Sequence, residues 1–328
     1  MRGRLSMLES ISMPTIPPLE VMLPCALAAV AAAFVLAACF GPMAAVVSEK
    51  LSVSKQRGFY AKTGQQMAQM SFFFGILAIG LLVACVLWIA ADEPAIFQFP
   101  YRMPLIVTGG IITLAAAVLG LYVILRPKKG PSTTVHALIG FIASLCSLSA
   151  LFLCTSTARR LLQTVPDIAP ELPLSEQLTQ FFHIPADSLF WPLLLEAVPL
   201  GFAFAGAFAA VWLIIMRDRQ DFGRDYYAFA LPYCAKWALF ATLLAIPAGA
   251  YAMLRGESIM LPELSHLPSL LLDFLSVILP LLACGIWAAI IKSEHPMRRK
   301  ISAFIAWLFL LTGFAGQILM LNKIIPSP

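Results

Sequence analysis

The chain has 328 residues, of which 60% are hydrophobic and only 12% are charged, with a formal net charge of +5. Its mean hydropathy of +0.88 exceeds what a soluble core of this size needs and is typical of an integral membrane protein. This composition argues against a soluble globular enzyme, and the loops leave no room for a nucleotide-binding domain.

Eight apolar runs are long enough to cross the roughly 30 Å of bilayer hydrocarbon. Their length and the lack of alternation favour helices over barrel strands. They predict an all-α integral membrane protein with eight transmembrane helices, after a lead at 1–20 and before a tail at 324–328. The predicted spans are 21–47, 67–91, 104–125, 134–157, 190–216, 227–253, 267–291 and 301–323.

The last four spans repeat the first four. The triplet FIA begins at Phe141 and again at Phe304, and an Ile-Pro pair stands seven residues before another proline in each half. We therefore expect two tandem four-helix repeats, 21–157 and 190–323. Because each has an even number of spans, both should sit the same way up, related by an axis along the membrane normal.

The linker at 158–189 contains an amphipathic stretch around Leu174–Phe182. One interpretation places this stretch on the outer membrane interface, with Phe181 and Phe182 buried and Glu176 in water. The other is an ordinary linker with one helical turn.

Basic residues indicate the orientation. The loops after spans 1, 3, 5 and 7 hold 14 Lys and Arg residues, and the opposite side holds seven. By the positive-inside rule both termini face outward from a bacterial inner membrane. This bias and attraction to anionic lipid account for the net charge, so no nucleic-acid partner is expected. The first 20 residues lack the pattern of a signal peptide, so span 1 is expected to be retained.

Ionisable residues within hydrocarbon are the best pointers to function. Three are evident, all in the second repeat: Glu196, Lys236 and Asp273. Glu196 and Asp273 each lie about six residues into an inward-running span, which places both carboxyls roughly 9 Å below the outer boundary. A shared site could relay protons or meet a quinol hydroxyl, whereas separate hydrogen bonds to backbone, Tyr or Ser are the structural alternative. For Lys236 we expect snorkelling towards the inner interface.

The residues give little indication of a metal site or a haem site. No C-x-x-C pair occurs, none of the four histidines lies deep in a span, and no nucleotide or hydrolase motif is present. A haem held between two histidines is therefore not expected, and His136 is interpreted as a satisfied interfacial residue. No metal site is predicted.

Two segments resemble proteins related to cytochrome bd quinol oxidase subunit I. One covers 190–254, which opens on Trp191-Pro192, passes a charged turn and continues through an aromatic-basic segment; the other, 40–73, has a similar layout. The resemblance implies a quinone-linked redox membrane subunit with haem-ligating histidines in spans 1 and 5. This sequence has Ala31 near the first of those places and Leu195 or Glu196 near the second, so it departs from the pattern.

The sequence thus predicts a polytopic inner-membrane subunit of a quinone-linked electron-transfer complex without its own haem. Glu196 and Asp273 are its candidate catalytic residues, a quinone its candidate cofactor, and the bilayer and a redox subunit its candidate partners. The alternatives are a transporter or channel for protons or a small solute, and a purely structural membrane subunit.

Overall fold

The computed structural model describes residues 19–92, 97–125, 134–161, 171–260 and 266–324. Nine α-helices occupy these ranges, with a 3-10 turn at Pro296–Arg299 before the last. In chain order they are α1 Leu19–Lys55, α2 Gly58–Asp92, α3 Arg102–Ile124, α4 Thr134–Leu161, α5 Leu174–Phe182, α6 Phe190–Met216, α7 Arg224–Met260, α8 His266–Ile291 and α9 Lys300–Ile324.

The predicted all-helical membrane fold is confirmed. Every helix except the short α5 coincides with one of the eight predicted spans. Seven of the described helices are long and apolar enough to cross a bilayer, and the apolar part described for α8, Leu275–Ile291, is shorter. In-span prolines do not end the helices, since α7 continues through Pro232 and Pro247.

The helices pack in the same order in both halves. In the first half α1 pairs with α2 and α3 with α4, and in the second α6 pairs with α7 and α8 with α9. This is the arrangement that a tandem duplication predicts, and the duplication itself stays a prediction. The halves meet mainly through α1 and α6, where Gly201 lies directly against the Phe40 ring with no room for a Cβ atom.

The boundary between the first two spans was predicted wrongly. The hydropathy pattern predicts that span 1 ends at residue 47 and that span 2 begins at residue 67. In the structure α1 runs to Lys55 and α2 begins at Gly58. Only Gln56 and Arg57 connect them, with Gln56 in the left-handed region at φ 51°. The helix continues past the apolar run because polar side chains such as Ser48 are buried between helices.

The linker contains the expected amphipathic helix. In α5 the Phe181 ring is buried, Phe182 is half-buried and Glu176 is exposed. The Arg160 guanidinium at the end of α4 donates to the carbonyls of Phe181 and Gln180, both at 2.9 Å. These bonds fix α5 across the end of α4, and its place at the membrane interface remains a prediction.

Candidate functional site

Glu196 lies in the second turn of α6 and is buried inside the second half of the molecule. Only 5% of the residue is exposed. The Gln317 amide of α9 is a hydrogen-bond partner of this carboxyl, while Oε1 itself accepts no hydrogen bond in the described part of the chain. A carboxyl buried inside a membrane-spanning helix is a default candidate for a functional group.

A small cavity opens beside this carboxyl. Its volume is about 20 Å³, and its walls come from all four helices of the second half. The polar lining residues are Glu196 from α6, Thr242 from α7, Ser276 from α8 and Gln317 from α9. A space of roughly 10–15 Å³ admits one water, whereas ligand pockets span about 300–1,000 Å³. The cavity suits a water or a proton and is too small for a quinone ring.

Gly249 allows the carboxyl to lie close to α7. A Cβ atom at this position would overlap Glu196 Oε1 and would stand 3.0 Å from Gln317 Nε2. The Thr242 hydroxyl, two turns earlier in α7, donates to the Ala238 carbonyl at 2.7 Å, so its oxygen can only accept at the cavity. The glycine therefore keeps the space in which Glu196 and Gln317 meet.

The two other in-span ionisable residues contribute less to this site. Asp273 belongs to α8, one turn before Ser276, but its side chain lies outside the described residues. Its pairing with Glu196 therefore stays a prediction. Lys236 is exposed on the outer surface of α7, away from the cavity, which agrees with a snorkelling side chain and not with a partner for Glu196.

A pair of buried ionisable residues in the first half was missed by sequence reasoning. Glu49 of α1 and His136 of α4 are 2% and 4% exposed, and His136 Nε2 lies 3.3 Å from Glu49 Oε1. The Tyr122 ring stacks on the imidazole at 4.6 Å between centroids. Glu49 lies just beyond the apolar run of span 1, so a search for ionisable residues within the spans did not include it. The contact with Glu49 agrees with a structural place for His136, and its interpretation as a satisfied interfacial residue stays a prediction.

The described histidines do not fit a haem in either half. His136 is occupied by Glu49 and Tyr122, and His183 and His295 are exposed outside the long helices. The cavity at Glu196 is far smaller than a macrocycle. We therefore derive no haem chemistry for these residues. Among the described residues no group of three His, Cys, Asp or Glu side chains is arranged to hold a metal ion.

Comparison with solved structures confirms the suspected resemblance at the level of the fold. The chain is similar to a chain in the structure of bd oxidase from Geobacillus thermodenitrificans, with a TM-score of 0.59 and 12% sequence identity. The match covers 94% of this chain and 86% of that one. No protein-family model matches the sequence, and no curated protein matches it. The chain thus has a bd-oxidase-like helical membrane fold.

Proposed function

We propose that this protein is a membrane subunit of a quinone-linked electron-transfer complex, and that Glu196 exchanges protons within it. The observation that carries the proposal is the buried Glu196 carboxyl beside a water-sized cavity, in a chain that shares its fold with a bd oxidase chain. Quinol oxidation releases protons, so a complex of this kind needs groups that accept them.

The geometry limits what Glu196 does. The cavity beside it holds one water, so Glu196 would pass a proton to or from a neighbouring group and would not bind the quinone itself. Gln317 is a hydrogen-bond partner of the carboxyl, and Thr242 lines the same cavity. The quinone and the redox centres would belong to other surfaces or to a partner subunit.

A proton transporter is the second candidate. The same buried carboxyl supports it, because protonatable residues inside helical bundles recur in proton relays. The small cavity favours a proton over a larger solute.

The first experiment is purification of the chain from its native membrane with co-purifying proteins, followed by absorbance and quinol-oxidase measurements. We expect a redox subunit to co-purify. A chain that purifies alone, yet carries a proton current in liposomes, would contradict the electron-transfer proposal and favour the transporter.

The second experiment replaces Glu196 with Gln, which keeps the volume and removes the titratable proton. We expect an unchanged melting temperature. Proton-coupled turnover should fall about 10²-fold, which is the usual contribution of one acid–base group to the rate. Glu176→Gln is the matched control, because Glu176 is an exposed carboxylate on α5. Unchanged turnover in Glu196→Gln would exclude the proton role.

A further inference from the structure

A larger cavity lies at the other end of the molecule, where α2 and α7 begin. It has a volume of about 540 Å³ and is lined by Arg57, Gly58, Phe59, Lys62 and Phe229. Its volume falls within the roughly 300–1,000 Å³ of typical ligand sites. None of the lining residues is acidic, and the Glu196 site takes no part in it.

The two cations of this cavity lack a neutralising carboxylate. Within the described ranges neither Arg57 nor Lys62 lies within ion-pair distance of a carboxylate. Arg57 is fixed by its backbone, since its amide donates to the Ser52 carbonyl at 3.2 Å and its carbonyl accepts from the Ser52 hydroxyl at 3.1 Å. The Lys62 ammonium stands over the Phe222 ring at 5.0 Å. The backbone of Arg57 and the ammonium of Lys62 are thus positioned near the cavity.

Aromatic rings form the other wall. Phe59 is 36% exposed and its ring lies 5.7 Å from that of Phe229, which also contacts Tyr60 edge-on at 4.7 Å. A free inorganic anion makes no favourable contact with the aromatic rings. A molecule with an anionic head and an apolar chain contacts both the basic residues and the rings. In a chain that spans a bilayer, a phospholipid has this chemistry.

We propose that this cavity is a binding site for an anionic phospholipid. The phosphodiester lies between the Arg57 guanidinium and the Lys62 ammonium, and the acyl chain follows Phe59 and Phe229. Guanidinium and ammonium groups are the usual phosphate partners in proteins. The α2 helix begins at Gly58, so its positive end also faces the head group.

The test uses the full chain in detergent, with native mass spectrometry of phosphatidylglycerol and phosphatidylcholine retained after delipidation. We expect preferential retention of phosphatidylglycerol. In Arg57→Gln/Lys62→Gln, that retention should fall roughly 10- to 30-fold, the combined weight of two basic groups at a membrane surface. The control Lys50→Gln/Lys55→Gln makes the same charge change on exposed residues outside the cavity and should retain the lipid.

Gly58→Asp is an independent variant that leaves the fold intact. No atom lies within 4 Å of a Cβ placed at Gly58, and an acid at the first position of a helix is favourable. It should abolish the lipid preference while Gly58→Asn retains it. Equal losses in the two double variants, no loss in Gly58→Asp, or displacement by an equal concentration of inorganic phosphate would each overturn the lipid site.

Discussion

Two buried glutamates differ in what surrounds them. Glu49 faces a histidine at 3.3 Å with an aromatic ring stacked behind it, whereas Glu196 faces an amide and a small cavity. Two polar side chains that face each other in an apolar interior satisfy one another, and removal of one leaves the other without its partner. Glu49 therefore has the surroundings of a structural residue, whereas proton exchange at Glu196 remains a proposal.

Replacement of Glu49 tests the first half of this contrast. Glu49→Ala should lower the free energy of unfolding by about 1–3 kcal/mol, because it leaves the buried His136 without its polar partner. Thermal or denaturant unfolding in detergent measures this loss. A double-mutant cycle with His136→Ala should show strong coupling, and simple additivity of the two changes would contradict a stabilising pair.

Sequence reasoning reached Glu196 and not the Glu49–His136 pair, for a physical reason. Glu196 interrupts an apolar run of α6, so a hydropathy pattern identifies it directly. Glu49 stands among polar residues near the end of α1, and its partner follows 87 positions later on α4, a pairing that only tertiary packing creates. The Gly249 contact is equally long-range and was likewise invisible in the sequence.

At the scale of single helices, the sequence pattern predicts the amphipathic character of α5 but not the contacts that attach it. The spacing of Phe181, Phe182 and Glu176 predicted an amphipathic helix, because such spacing follows the helical period. Its attachment depends on Arg160, whose guanidinium reaches carbonyls at the far end of α5. Backbone carbonyls carry no sequence signature, so no pattern could have indicated this contact.

Arg160→Gln tests the attachment. Loss of the guanidinium removes charge-assisted hydrogen bonds to the Phe181 and Gln180 carbonyls. Hydrogen–deuterium exchange should then rise several-fold in α5 and remain unchanged in α6. As a control, Glu176→Gln alters an exposed side chain and should leave exchange as it was. Equal exchange in Arg160→Gln and the native chain would show that Arg160 is not needed to hold α5, which Arg159 also contacts through the His183 carbonyl at 2.8 Å.

At the scale of the whole molecule, the two four-helix sets share one continuous apolar core. Its buried members come from every long helix, with α1 and α6 at the centre. The fold class could be predicted because apolar runs of membrane length admit few structures other than helices. The contact between the halves could not, since it depends on the fit of Phe40 against Gly201.

Orientation is the prediction that belongs to this scale. Basic residues concentrate at the end of the molecule that holds the α1–α2 turn, so this end should face the cytoplasm and both termini should face outward. Cysteine-specific labelling of intact cells, in a variant without the seven native cysteines, measures it. A cysteine placed at Gly58 should resist impermeant reagent and one at Glu176 should react. The opposite pattern would reverse the topology.

The two-residue turn at Gln56 and Arg57 bears on how the protein is made. At about 1.5 Å per residue, α1 and α2 are each more than 50 Å long, well beyond the hydrocarbon thickness. With so short a connection, α1 and α2 are expected to insert into the bilayer together as one helical hairpin, with its basic turn on the cytoplasmic side.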